Sequence, residues 1–386
     1  MKLMRKTRTA VRVVPFIIIN RIVSMFIKVK ENRVLFASDV RKELGGNLKF
    51  VYDYLPESFE KVVDFKEDRR FRRSFMNYLK LAYNMAVSNY ILLEDFLDYT
   101  AFIRLRKGQQ ICQLWHGAGA YKKFGYSRQL NENEKIKIHQ GYKRYAKAIV
   151  SADAIRACYA EAFSMPIEHV QATGIPRTDI FFDNEYIIKT KQTLYQKYPI
   201  FKDKKVILFA PTYRGTLVKD AAYDFDSLKL PHLYNALHED YVFIFKWHPA
   251  AYNNIKSSNL EVYNLEAYPD FYFDLSQYRD INDLLLITDI LITDYSSVIF
   301  DYLLVDKPII YYVPDLNNYS GDRGMYFNFS EYVYGDVVTN WSDLIDSIHS
   351  EKMEPAKRLQ FRKKFMDACD GEATKKTCSW IFGIFC

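Results

Sequence analysis

Two histidines, an arginine and a pair of serines stand at the ends of apolar runs in this 386-residue chain. The chemistry they suit is that of phosphate esters. The run QICQLW (110–115) leads into His116, Gly117, Ala118, Gly119 and Ala120, with Lys122 and Lys123 close behind. HVQATG (169–174) leads into Ile175, Pro176, Arg177, Thr178 and Asp179. VILFA ends in Pro211, Thr212, Tyr213 and Arg214. VFIFKW, which carries Lys246 and Trp247, ends in His248 and Pro249. DILIT ends in Asp294, Tyr295, Ser296 and Ser297, ahead of Asp301. Imidazole exchanges a proton near neutral pH. A guanidinium forks two charge-assisted hydrogen bonds to phosphate oxygens. Hydroxyls and backbone N–H groups at a helix start suit an anion. Each feature alone has an ordinary structural reading, as a hydrogen-bonded histidine, an N-cap or a tight turn. Together they describe a site that holds a phosphate-bearing donor and activates a hydroxyl.

Other chemistries lack their residues. There is no GxxxxGK[ST] for a P-loop, no GxGxxG opening a βαβ unit for a nicotinamide enzyme, and no GxSxG elbow for a hydrolase. No cofactor and no bound metal are expected. Asp224 and Asp226 form a DxD without a preceding strand, and Asp289 and Asp294 are five apart, neither amounting to a coordination set. The five cysteines, Cys112, Cys158, Cys369, Cys378 and Cys386, are nowhere closer than eight positions, so no C-x-x-C pair is available for zinc or redox work. Such sparse thiols indicate a reducing compartment. A net charge of +7 and a hydrophobic fraction of 49% fit a globular protein with a mild preference for anionic partners, and fall short of demanding nucleic acid.

These residues need elements to carry them. Short apolar strands are predicted at 33–38, 90–94, 110–115, 147–151 and 169–174. A second series follows at 205–212, 241–249, 289–297 and 307–314. Helical windows lie between them, among them 131–145, 152–163, 227–239, 297–305 and 341–350. Strands alternating with helices indicate parallel sheets covered on both faces, which suits continuous runs such as VILFA and VFIF. The expected fold class is therefore α/β, with two Rossmann-like doubly wound domains meeting at a cleft. Ligands in such sheets bind beyond the carboxyl ends of the strands, where the unusual residues stand. The expected division is an N-terminal domain at 31–190, a C-terminal domain at 200–370 and a tail at 371–386, with the boundary in the Lys-rich segment 183–203. Residues 1–30 carry eight Lys and Arg and no acid. Their longest apolar run, Val13 to Ile19, is far short of the roughly 20 residues that span a bilayer. They read either as a basic amphipathic membrane-associating segment or as an opening helix packed on the domain. In the first case Phe16, Ile17 and Met25 would insert.

The blocks QLWHGAGAYKKFG, ATGIPRTDIFF, ILFAPTYRG, FKWHP and ITDYSSVIFDYLLVDKPIIYY, followed by GDRGMYF, resemble the CDP-glycerol glycerophosphotransferases of teichoic acid and related cell-surface polymer synthesis. The resemblance covers about residues 105–345. It implies a GT-B architecture with the active site in the cleft between the two domains. It implies CDP-glycerol as donor, loss of CMP, and a lipid-linked saccharide or growing polymer as acceptor. The family's two histidines fall on His116 and His248. Its donor contacts fall on Gly117, Ala118, Gly119, Ala120, Arg177, Pro211, Thr212, Lys246, Trp247, Ser296, Ser297 and Asp301. The sequence departs from the family pattern after Arg323. Proton chemistry favours His116 as general base and His248 as the group that stabilises the departing CMP. CDP-ribitol is the nearest rival donor, and a GT-B nucleotide-sugar glycosyltransferase the nearest rival activity. The donor chemistry places the enzyme in the cytoplasm, bound peripherally to the anionic inner face of the membrane.

Overall fold

A computed structural model describes residues 2–66, 73–128, 131, 140–214, 222–248, 252–258, 264–316 and 324–384, without the side chains of 2–12, 225, 256 and 258. Most of the predicted helix 131–145, and Gly215, Pro249, Gly321 to Arg323 and Cys386, lie outside the described residues. The chain forms two compact units. The first is Met1–Asp179 with Lys364–Cys386, and the second is Ile180–Lys363.

The first unit opens with helix α1 (Lys2–Phe26). It continues through strand β1 (Lys30–Ser38), α2 (Gly46–Tyr54), β2 (Glu60–Phe65), α3 (Phe75–Val87) and β3 (Ser88–Leu93). Strands β4 (Gln110–Gln113), β5 (Tyr145–Ile149) and β6 (Val170–Gln171) complete a six-stranded parallel sheet in the order β2-β1-β3-β4-β5-β6. Residues 34–38 of β1 are buried throughout, as a strand covered on both faces must be. Val34, Phe36, Leu92 and Cys112 meet Leu48 and Val51 of α2, together with Cys378 and Ile381 of the last helix (Ala373–Phe382).

The second unit builds the other parallel sheet from β7 (Lys205–Phe209), β8 (Tyr241–Phe245), β9 (Tyr272–Asp274), β10 (Ile290–Thr293), β11 (Ile309–Tyr312) and β12 (Asp336–Val338). Its order is β12-β11-β10-β7-β8-β9, the doubly wound dinucleotide-fold order read from the other edge. Each sheet reverses its winding once, between β1 and β3 in the first and between β7 and β10 in the second. Crevices at such reversals are where open α/β sheets take ligands.

The observed units differ from the sequence-based division. The chain changes unit at Asp179/Ile180, ahead of 183–203, and Lys364–Cys386 returns to the first unit instead of forming a separate tail. The segment read as a polar linker holds a 14-residue helix, Asn184–Lys197. It buries only Leu194, which hides the helical period, and the Asp183 carboxylate caps it by accepting from the Tyr186 N–H at 3.0 Å. Strands β2, β9 and β12 escaped prediction; all three are edge strands, and β9 and β12 have three residues each.

Helix α1 packs on α3. Phe16 is wholly buried against Tyr99, with ring centroids 4.9 Å apart, and the Asn20 amide donates to the Ala82 carbonyl at 3.0 Å. Phe16 therefore cannot be an inserting residue. The same helix exposes Val14, Ile18, Ile22 and Met25, which share its other side at helical spacing. Among the described residues, no helix is long and apolar enough to cross a membrane.

Candidate active site

In the first unit, β4 delivers the chain to Trp115, whose φ of 52° puts a bulky residue in the left-handed region. Such a backbone costs roughly 1–3 kcal/mol and persists only where its surroundings enforce it. Here the buried Gln113 carboxamide accepts from the Trp115 N–H at 2.9 Å. The buried Asn47 amide donates to the Trp115 carbonyl at 2.5 Å. The indole stacks on Phe124 at 4.4 Å between centroids and lies beside the His116 ring at 4.5 Å. His116 itself is exposed. Its Nδ1 lies 3.0 Å from the Glu94 carbonyl oxygen at the end of β3. With Nδ1–H donating to that carbonyl, the imidazole lone pair sits on Nε2.

The following turn is anchored from below. Tyr159 Oη donates to the Gly119 carbonyl at 2.8 Å and to that of Gly117 at 3.3 Å. Ser151 Oγ accepts from the Gly119 N–H at 2.9 Å and donates to the Phe365 carbonyl. Ala118 and Ala120 are buried. Beyond β6, the Arg177 N–H donates to Asn47 Oδ1 at 3.0 Å. Thr178 and Asp179 serve the fold. Thr178 Oγ1 donates to the Ile175 carbonyl, and the Asp179 carboxylate accepts from the N–H groups of Ala373 and Thr374 at 2.9 and 2.8 Å.

The reversal between β1 and β3 is filled with charge. Ser38 Oγ donates to Asp95 Oδ2 at 2.6 Å. Burial, with Glu94 and Asp39 nearby, pushes the Asp95 carboxyl up to about 7, against the pull of the Ser38 hydrogen bond and Arg41. Burial also raises Glu94, whose carboxylate is paired with Arg41, accepts from the Leu48 N–H and feels Arg177.

In the second unit, the loops after β7 and β10 meet across the reversal point through Asp294, 1% exposed. Its Oδ1 accepts from the Thr212 N–H at 2.7 Å and from the Tyr295 N–H at 2.6 Å. Its Oδ2 takes Arg214 at 2.7 Å, and Arg214 forks onto Asp315 at 2.6 and 3.0 Å. Pro211 is buried and Thr212 half-buried. Ser296 is half-buried and Ser297 exposed; the helix they open, Val298–Tyr302, has five residues, so its dipole adds little, and the hydroxyls and backbone N–H groups are what the loop offers an anion. Asp301 is buried within that helix.

After β8 the three residues divide. Lys246 is buried; its ammonium donates to the carbonyls of Ser276 and Tyr278 at 2.9 and 2.8 Å, and desolvation lowers it to about 8. Trp247 is a core residue against Phe209, Tyr223 and Phe245. His248 is exposed, 5.8 Å from Tyr213 between ring centroids. The side chains of Lys246 and Trp247 are thus turned into the fold, while His248 is presented. Asp289 is also committed to structure, accepting from the Val206 N–H at 2.9 Å. Among the described residues, no group of three or more His, Cys, Asp or Glu is placed to hold a metal ion.

A profile of the family described as CDP-Glycerol:Poly(glycerophosphate) glycerophosphotransferase matches residues 18–383. The chain belongs to that family. It is 39% identical over 356 residues to the teichoic acid poly(ribitol-phosphate) polymerase of Bacillus spizizenii, covering 92% of this chain and 56% of the relative. It is 34% identical to the ribitol-phosphate polymerase TarL of Staphylococcus aureus, covering 92% of this chain and 63% of that one. The chain therefore spans between half and two thirds of the length of these relatives. The solved wall teichoic acid polymerase TagF superposes with a TM-score of 0.74 over 98% of this chain and 97% of its own, at 23% identity, a likeness of fold.

For this glycerophosphotransferase-family chain, sequence reading missed Asn47, Glu94, Asp95 and Ser151. Asn47 follows two glycines and sits in the first turn of a helix that the sequence reading did not include. The pair Glu94-Asp95 at a strand end carried a signal, since acids are rarely buried without a partner.

Proposed function

We propose that this protein transfers an alditol phosphate from a CDP-alditol to a hydroxyl of a teichoic acid acceptor, releasing CMP. The acceptor oxygen attacks the β-phosphorus, a new P–O ester bond forms, and the bond to the CMP oxygen breaks with its electron pair. The hydroxyl proton passes to His116 Nε2. His248 stabilises the charge on the departing CMP. Arg177, Thr212, Ser296 and Ser297 hold the diphosphate through charge-assisted hydrogen bonds. In this reading residues of both units serve one donor, the GT-B arrangement expected from sequence. The observation that carries it is the His116 geometry: a strained, braced backbone presents an exposed imidazole whose tautomer a backbone carbonyl sets.

CDP-ribitol is the donor this reading favours, because the relatives at 39% and 34% identity are named for ribitol phosphate. CDP-glycerol, the donor expected from sequence, is the second reading and is supported by the family's own description. The acceptor is proposed to be lipid-linked. The enzyme then works from the cytoplasm, held peripherally at the inner membrane face by the exposed side of α1.

The test is nucleotide release from CDP-ribitol, CDP-glycerol and UDP-sugars with a membrane-extracted acceptor. CMP from CDP-ribitol is the expected product. His116→Ala and His248→Ala are each expected to slow its release by at least about 10²-fold, the usual scale for one acid–base or electrostatic group. UDP release would replace the proposal with a glycosyltransferase. Full CMP release by both folded variants would remove the histidines from the chemistry.

A further inference from the structure

We propose that Asn47 is a positioning residue that locks the His116 loop and the Arg177 loop into one register. The inference rests on the reading of His116 as general base. Asn47 is completely buried in the first turn of α2, far in sequence from both motifs. Its carboxamide is divided between them: Nδ2–H donates to the Trp115 carbonyl at 2.5 Å, and Oδ1 accepts from the Arg177 N–H at 3.0 Å. A weaker contact from Nδ2 reaches the Leu114 carbonyl at 3.4 Å.

The Trp115 carbonyl is the atom that matters. It closes a left-handed residue that an L side chain avoids, and the next residue is His116. Gln113 holds the N–H side of Trp115 and Asn47 holds the carbonyl side, so two buried amides enforce the strained turn. Without the Asn47 donor, a part-buried carbonyl loses its partner and the residue can relax toward negative φ. That relaxation would carry the imidazole off the Glu94 carbonyl. Displacements of about 1 Å at a reacting group cost on the order of 10²-fold in rate. The other half of the amide sets where the chain enters Arg177, so one side chain ties a proton acceptor to a phosphate clamp.

Asn47→Asp separates the two halves, since it keeps an acceptor for the Arg177 N–H and turns a second acceptor toward the Trp115 carbonyl. The expected result is a fall in kcat of at least about 10-fold with donor KM changed less than threefold, after normalising to the folded fraction by near-UV circular dichroism. The same substitution in a His116→Ala background should cost nothing further, because Asn47 acts through His116. Equal losses in both backgrounds, or a kcat within twofold of wild type, overturn the proposal. Asn47→Ser, uncharged and smaller, serves if the buried carboxylate prevents folding; its kcat loss should again vanish in the His116→Ala background, while donor KM rises in both backgrounds because the acceptor for the Arg177 N–H is lost too. A chain that folds with neither residue assigns Asn47 to stability alone and also overturns it. Wild-type turnover by His116→Ala itself would instead sink the general-base reading, a separate failure.

Discussion

At the scale of single residues, the acids at the end of β3 give stability a pH dependence. Asp95 is 8% exposed, and burial holds its carboxyl at about 7 against an ordinary 3.8. The folded state therefore keeps a proton between those values that the unfolded chain has lost. This contribution to stability is complete below about pH 4 and disappears as pH rises through 7. A shift of that size corresponds to at most about 4 kcal/mol. Glu94, raised in the same direction by burial, adds to the trend. We expect urea midpoints of the wild type to fall between pH 5 and 8, and Asp95→Asn, which keeps the shape and loses the titration, to flatten that fall. An unchanged slope in the variant would mean that Asp95 is ionised throughout. Acids and amides like these were hard to read from sequence, because Glu94 and Asn47 act through atoms that their neighbours' folding makes available. The placement of His116 and His248 just beyond strands was legible because glycine-rich or proline-flanked turns follow apolar strands.

At the scale of elements, nine strands were legible: the eight interior strands of the two sheets, whose apolar runs suit strands covered on both faces, and the edge strand β6. What sequence periodicity could not show was the edge and the return. The three missed strands are all at sheet edges, and in Glu60–Phe65 the apolar residues are bounded by Lys61 and interrupted by Asp64. The partners of the last helix, which lies in the segment expected to be a separate tail, were not legible, because its contacts lie with residues about two hundred positions earlier. Thr173 and Thr377 hydroxyls meet at 2.9 Å, and Lys147 Nζ donates to the Trp380 carbonyl at 2.8 Å. Gly174 shows how close this return is. Its φ is +83°, and a Cβ there would lie 2.4 Å from the Ala368 carbonyl oxygen. Gly174→Ala must both adopt a disfavoured backbone and push that segment away, so we expect a loss of at least about 2 kcal/mol in chemical denaturation. A midpoint equal to wild type would show that the Ala368 turn moves freely.

At the scale of the whole molecule, helix α1 joins the fold to its proposed surroundings. Its inward face is satisfied by Phe16 and Asn20, so Ile18, Ile22 and Met25 can be changed without touching the core. Substituting all three with serine should alter stability little, as exposed positions do. It should weaken binding to anionic vesicles at high salt by roughly 10²-fold or more, since each apolar side chain contributes on the order of 1–2 kcal/mol when buried in the interface. Sedimentation with anionic and neutral vesicles reads this directly, and equal binding by the triple variant would assign membrane contact to another surface. The return of Lys364–Cys386 to the first unit has a consequence for the order in which the protein matures. Chains are synthesised from the N-terminus, and domains usually fold in that order. Here the second unit is one continuous stretch and can close as soon as it has been made. The first unit waits with the cluster of Val34, Phe36, Leu92 and Cys112 covered by α2 but incomplete until Cys378 and Ile381 arrive. The half that is translated first is therefore finished last, and that interval is when a chaperone would find this chain.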